Sequence, residues 1–320
     1  MLISEPDVLL EFQRKKLPGF LLASVRGVGQ VDLQPCLWTG VLILAGLWAA
    51  GWEIGLFATL GTLVSTAAAH LVAVDRSNIA LGLQGYCGCL TGVALVTSLG
   101  GHPATYALAV IGAAMCTMLL AALTTLLAPY GLTALTAPFC LVSGIMVIGA
   151  PSFGRIWHGA PRAVSSTTTG DRALSWHDLW HAFFTNISQV FLVDEWYVGL
   201  IILVGLAFAG ARVVLYAAAG SVVGIFAAWA LGAPASLISN GIYGYNAVLV
   251  AIAMGAVFLT ATLWNGVYAL IGAAATTGLT AALTSIFKTF GGHTFTWPFI
   301  LTTWAFMAAV PALPRFRRSG

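Results

Sequence analysis

Gln30-Val31-x-Leu33 returns as Gln189-Val190-x-Leu192, at 189 − 30 = 159. Gly85-Tyr86 returns as Gly244-Tyr245, at 244 − 85 = 159. Thr136-x-Pro138-Phe139-x-Leu141-x-Ser143 returns as Thr296-x-Pro298-Phe299-x-Leu301-x-Thr303, at 296 − 136 = 160. Three blocks recurring in one order at 159 or 160 residues make the chain two copies of a single unit. Whatever the fold is, it is built twice from the same elements. In a very apolar chain, such duplication marks a membrane transporter or channel whose path lies at the interface of the copies.

The chain is that apolar. Of its 320 residues, 59% are hydrophobic and only 7% charged, against about 25% charged in an ordinary soluble domain. The mean hydropathy is +0.95. The 36 glycines suit helices that approach closely in lipid. The first 19 residues carry Glu5, Asp7, Glu11, Arg14, Lys15 and Lys16 around no long apolar stretch, so no cleavable signal peptide is expected. A net charge of +3 with no basic-aromatic patch argues against a nucleic-acid partner. The five cysteines lie in or beside apolar segments, where packing is their expected role.

Apolar runs fall near 37–52, 54–74, 78–98, 104–128 and 132–150, and again near 196–211, 213–232, 236–259, 262–285 and 295–313. About 20 apolar residues cross the hydrocarbon core, so these are expected membrane helices. A shorter piece opens each half, near 20–33 and 179–193. Such half-spanning helices are tolerated where protein covers them. The predicted fold class is an all-α polytopic membrane protein, with five transmembrane helices and one tilted pore helix per repeat. Five is odd, so the second repeat enters from the opposite side and the repeats are inverted. The expected divisions are 1–19 as an N-terminal cytoplasmic segment, 20–150 as the first repeat and 151–178 as a central linker. The second repeat is 179–313, and 314–320 is a C-terminal cytoplasmic tail. Arg14, Lys15, Lys16 and Arg26 at one end, with Arg315, Arg317 and Arg318 at the other, place both termini in the cytoplasm by the positive-inside rule.

Few residues offer covalent chemistry. His177-Asp178-Leu179-Trp180-His181 sets two histidines at i and i+4 on one helix face, the zinc-protease spacing. That pattern uses glutamate where this chain has Asp178, and Trp and His are ordinary residues at a membrane boundary. Cys87-Gly88-Cys89 has no partners at metal spacing. Neither a cofactor nor a metal is expected. The two Thr-x-Pro-Phe boxes are more informative. Proline removes an N–H and frees a carbonyl, leaving oxygen acceptors in apolar surroundings beside Thr136 and Thr296. A plain kink with threonine bonded to its own helix would explain one box; two matched boxes favour a pore lining. Gln30 and Gln189 bring amides that need partners or a polar cavity. Tyr86 with Leu90, and Tyr245 with Leu249, place a ring and an aliphatic group on one helix face. No central carboxylate recurs in both halves and no Walker motif occurs, so neither ion coupling nor ATP drive is expected.

At these residues the sequence resembles the urea transporter family. Asn240-Gly241-Ile242-Tyr243-Gly244-Tyr245-Asn246 resembles its glycine-tyrosine-asparagine motif, and Gly82-Leu83-Gln84-Gly85-Tyr86-Cys87 is the first-half counterpart. The Thr-x-Pro-Phe boxes resemble the paired Leu-Pro boxes. The resemblance covers about 20–150 and 180–310 and implies ten membrane helices, two tilted pore helices and a homotrimer with one pore per protomer, set in lipid. It implies a bacterial plasma (inner) membrane protein that passes urea down its gradient. Thr136 and Thr296 would be mid-pore hydroxyls, and Gln30 and Gln189 would belong to two outer sites. Val31, Val190, Tyr86, Leu90, Tyr245 and Leu249 would line slots for a flat solute. The chain departs from the family pattern at Cys87, where the motif has asparagine, and at Leu132-Thr133 and Gly292-His293, which replace leucine-proline.

Urea suits such a path on physical grounds. It is planar and uncharged, with four N–H donors. Stacked acceptors on the edges of a narrow, apolar-walled path would replace its lost water. A channel for ammonia or another small neutral amide is the alternative within transport. His70 is the one histidine well inside an apolar run, and Trp229 stands at the matching place. An intramembrane metallo-hydrolase built on His177 and His181 is the alternative of a different class.

Overall fold

The computed structural model describes residues 16–159 and 173–319. Arg14 and Lys15, and Arg162 and Arg172 of the linker, lie outside them. The described residues form fourteen α-helices and no β-strand beyond one isolated bridge, Leu259 with Arg318. The first seven are α1 (Lys16–Gly29), α2 (Leu37–Ala50), α3 (Trp52–Leu71), α4 (Arg76–Ala80), α5 (Tyr86–Leu99), α6 (Pro103–Leu127) and α7 (Ala137–Gly149). The second seven are α8 (Trp176–Ser188), α9 (Trp196–Ala209), α10 (Ala211–Ala230), α11 (Ala235–Ser239), α12 (Tyr245–Ile252), α13 (Leu263–Lys288) and α14 (Trp297–Ala309). Each α-helix thus has a counterpart seven places on, as the repeated sequence blocks require. Two compact units are drawn from Met1–Leu126, Ala134–Pro161 and Val204–Ala209, and from Leu127–Thr133, Arg162–Leu203 and Gly210–Gly320.

Among the described residues, only α3, α6, α10 and α13 are unbroken helices long and apolar enough to cross a membrane. The other apolar runs form shorter helices or members of bent pairs. The run near 78–98 divides into α4 and α5 because Gly82 turns at φ +80°. A Cβ there would lie 2.5 Å from the nitrogen of Gly27, so only glycine fits. The short opening pieces are real helices. Residues 19–32 meet α2 at an 80° bend, and residues 176–191 meet α9 at 76°. Leu33 and Leu192 make these corners in the left-handed region, at φ 62° and 61°.

In the first unit α3 and α5 touch backbone to backbone. A Cβ on Gly61 would sit 2.0 Å from the Gly88 carbonyl oxygen, and one on Gly92 would sit 2.1 Å from that of Phe57. Close approach of this kind is how helices associate where lipid is as apolar as leucine. In the second unit Gly220 keeps its place on α10, but Ala247 and Ala251 stand where Gly88 and Gly92 do. Outward residues are large and apolar: Leu215, Val222, Phe226 and Trp229 all lie exposed along α10. Between α3 and α4, exposed Asp75 caps the short helix. Bonding from Ser77 holds its carboxyl below the usual carboxylate range.

After α12 the second unit departs from the first. Residues Ala253–Phe258 form a π-helix where α5 stays regular. The Tyr216 ring lies against Gly255, where a Cβ would come within 2.2 Å. The carbonyls beyond it are met by Arg212, 3.0 Å from Leu259 O, and by the backbone N–H of Ser319, 2.9 Å from Phe258 O. The C-terminal tail is therefore docked on this unit. Arg318 donates to Gly131 O at 2.9 Å and Met307 O at 2.7 Å, Phe316 stacks on Tyr268, and Arg315 lies over Trp264.

Candidate functional site

The site is a pair of frames, one in each unit, built from matching atoms. The Tyr86 hydroxyl donates to Leu135 O at 2.7 Å, and the Tyr245 hydroxyl donates to Phe295 O at 2.5 Å. Leu135 and Phe295 are left-handed, at φ 49° and 45°, so each chain reverses just before its threonine. The strained residue is held by the tyrosine that the sequence repeat singled out. Leu90 and Leu249 follow one turn later and are fully buried.

Thr136 and Thr296 are the N-caps of α7 and α14, each 2% exposed, and neither hydroxyl caps its own helix. The prolines therefore act differently from the sequence expectation. Pro138 and Pro298 do not disrupt a helix; each stands in the first turn of one. There its missing N–H costs nothing, because first-turn N–H groups have no helical partner. The acceptors in this region arise from the reversal at Leu135 and Phe295.

Gln30 and Gln189 are equally matched. The Gln30 amide donates to Leu81 O at 2.8 Å, and that of Gln189 to Asn240 O at 3.1 Å. Both acceptors are the C-caps of the five-residue helices α4 and α11. One N–H of each amide is thus spent on holding the corner. Neither amide oxygen accepts a hydrogen bond from a described residue. Gln30 is buried and Gln189 half-buried, and Val31 and Val190 beside them are buried. Within each unit the structure links glutamine to the α4 or α11 corner, and tyrosine to the threonine box.

Asn246, named above only as part of a motif, braces one of these frames together with Thr280, which sequence reasoning missed. Asn246 accepts from the Phe299 backbone N–H at 3.2 Å through Oδ1 and donates to the Thr280 hydroxyl at 3.3 Å. It thereby satisfies an otherwise unpaired N–H in the first turn of α14. In the first unit Cys87 and Leu120 stand where Asn246 and Thr280 do, and the Phe139 backbone bonds to the Cys87 thiol instead. The departure at Cys87 is therefore matched by a departure at its partner. The same exchange runs the other way nearby. Thr91 lies 3.2 Å from the Cys116 sulfur and accepts from Ser143 at 3.4 Å. Val250 stands at the Thr91 position of the second unit, and the Thr276 and Thr303 hydroxyls there are left unpartnered.

Asn246→Leu removes both of its bonds and strands the Phe299 N–H at depth. Leaving a buried donor unpaired costs about 1–3 kcal/mol. A clear fall in the thermal midpoint in detergent is expected. Asn246→Cys with Thr280→Leu, which copies the first unit, is expected to recover most of it. A midpoint for Asn246→Leu equal to that of the parent would show that this bond carries no weight.

The remaining candidates separate from these frames. Asp178 is committed: its carboxylate accepts from the Ser175 N–H at 2.9 Å and the Ser175 hydroxyl at 2.6 Å, in a capping box that starts α8. It is not aimed as a general base. Among the described residues no three His, Cys, Asp or Glu side chains gather at metal distance. Among the described residues, then, His177 and His181 have no third ligand beside them, and Asp178 is held by Ser175. All five cysteines are free thiols, and all but Cys36 are buried. Asp32, at the end of a run in the sequence, is 1% exposed with one oxygen unpartnered. Phe191 occupies its place in the second unit.

Comparison with known proteins bears on these frames directly. The family model for "Urea transporter" matches residues 21–311. Urea transporter 1 of Ovis aries is 30% identical over 291 residues, covering 88% of this chain and 75% of that protein. Urea transporter 1 of Rattus norvegicus is 28% identical over 302 residues, covering 92% of this chain and 78% of that protein. The match takes in both frames, from Gln30 to Thr296, and with them this chain belongs to the urea transporter family.

Proposed function

We propose that this protein passes urea passively down its gradient, through a narrow path between two inverted repeats of five membrane helices and one pore helix. The observation that carries the reading is the doubled frame. In each unit a glutamine amide spends one N–H on a corner and keeps its oxygen as an acceptor. In each unit a tyrosine pins a left-handed residue beside a threonine hydroxyl. Urea needs acceptors for four N–H donors, and each bond left unreplaced costs about 1–3 kcal/mol. Gln30 and Gln189 serve two outer sites, and Thr136 and Thr296 serve the middle. Val31, Tyr86, Leu90, Val190, Tyr245 and Leu249 form the flat walls. The protein works as a homotrimer in a bacterial inner membrane, with both termini cytoplasmic. The divisions 1–19, 20–150, 151–178, 179–313 and 314–320 belong to the same reading.

Urea flux into proteoliposomes, followed by stopped-flow light scattering, tests it. Flux should be unchanged when proton and sodium gradients are collapsed and only the urea gradient remains, because no deep charge pair recurs in the two halves. Thiourea should compete, and glycerol should not. Loss of urea flux on collapsing the ion gradients, or glycerol competing as strongly as thiourea, would refute passive flow through a flat slot.

A further inference from the structure

We propose that His177 and His181 form a two-nitrogen site for a divalent transition ion, Cu2+, Ni2+ or Zn2+ by the softness of imidazole. Nothing in the urea reading uses these residues, and the proposal does not rest on it.

The two side chains leave the first two turns of α8 on one face. Their rings lie 5.7 Å apart, inclined by only 21°. Two imidazoles that hold one ion at about 2.0–2.1 Å bring their ring centres roughly 5–6 Å apart, so the spacing suits a shared ion once the His177 ring turns out of its near-parallel stack to aim a nitrogen at it. His181 is already oriented. Its Nδ1 lies 3.1 Å from Ser239 O. A carbonyl oxygen can only accept, so Nδ1 carries the hydrogen and Nε2 keeps its lone pair. This is the outer-shell arrangement that fixes the tautomer of a metal-binding histidine. Ser239 O is itself held, because the Thr185 hydroxyl donates to it at 2.7 Å. His177 is exposed, with Trp180 edge-on to its ring at 5.0 Å. It can swing to meet an ion arriving from solution.

A cation near a helix N-terminus meets the positive end of the dipole. Asp178 answers this locally, since its carboxylate lies in the same first turn. Bound to Ser175, it supplies charge without becoming a ligand. With two protein nitrogens and no third ligand among the described residues, water completes the coordination. The site is therefore open and exchanging, unlike a closed structural zinc site. It belongs to the second unit alone. At 177 − 159 = 18 and 181 − 159 = 22 the first unit has Pro18 and Leu22, which ligate nothing.

The test uses the full chain, purified in detergent without a histidine tag, titrated with Cu2+ and followed by electron paramagnetic resonance. One ion per chain with two nitrogen couplings is expected. His177→Ala is the decisive variant, because the residue is exposed and its loss leaves the fold intact. It should weaken binding by about tenfold or more and reduce the couplings to one. His181→Ala should do the same. His102→Ala with His158→Ala removes the other near pair, whose rings lie 4.1 Å apart, and should leave the signal unchanged. Undiminished two-nitrogen binding in His177→Ala, or its loss in the His102/His158 variant, would overturn the proposal.

Discussion

Gly61→Val should destroy the close contact of α3 with α5 and cost about 3 kcal/mol or more. The Cβ alone would lie 2.0 Å from the Gly88 carbonyl oxygen, 2.7 Å from its carbon and 3.3 Å from the Cys89 nitrogen. All three are backbone atoms of a regular helix and cannot rotate aside. The helices would have to separate. Gly88, Gly85 and Gly92 all meet backbone or hydroxyl groups of α1 or α3 at comparable distances, so separation at one glycine is felt at the others. Overpacking a well-filled core costs about 1–3 kcal/mol, and a branched side chain against fixed backbone stands at or above the top of that range. Because α5 carries Tyr86 and Leu90, urea flux should fall with stability. Gly144→Ala is the control. Nothing lies within 4 Å of its Cβ position, and a helical glycine with open space at Cβ gains up to about 1 kcal/mol on change to alanine. The thermal midpoint in detergent should drop by many degrees for Gly61→Val and hold or rise for Gly144→Ala. A Gly61→Val protein as stable as its parent would mean that α3 and α5 do not meet in this way.

Thr136→Val combined with Thr296→Val should slow urea flux roughly 25-fold. Valine keeps the shape and removes an acceptor, and a hydrogen bond of this kind contributes about 1 kcal/mol net. That is roughly five-fold for each threonine. The two factors multiply if each hydroxyl serves its own bond along the path. Thr136→Ala with Thr296→Ala, which shortens the side chain as well, is the comparison that separates loss of the hydroxyl from loss of packing at these two buried positions. Flux equal to wild type in a folded double variant would remove both threonines from the mechanism.

The sequence by itself determined that the fold is built twice, since three blocks recur at 159 or 160 residues. It also located the long helices α3, α6, α10 and α13 and pointed to Tyr86, Tyr245, Gln30 and Gln189. These were legible because apolar runs and recurring side chains are written in residue types. What they bond to was not legible. Leu81, Asn240, Leu135 and Phe295 act through backbone carbonyls, which every residue possesses, so no composition marks them. Left-handed turns at Leu33, Leu135, Leu192 and Phe295 carry no glycine to announce them. Only tertiary structure decided that Pro138 and Pro298 begin helices, because an apolar run reads the same whether or not its first residues are coiled. It alone paired Asn246 with Thr280 and set Cys87 and Leu120 at the matching places, a compensation between positions 34 and 33 residues apart, at 280 − 246 and 120 − 87. It alone turned the terminal arginines from marks of sidedness into clamps. Arg318 binds the carbonyls of Gly131 and Met307, and a partner 187 residues away in the chain is fixed by packing and not by any local pattern.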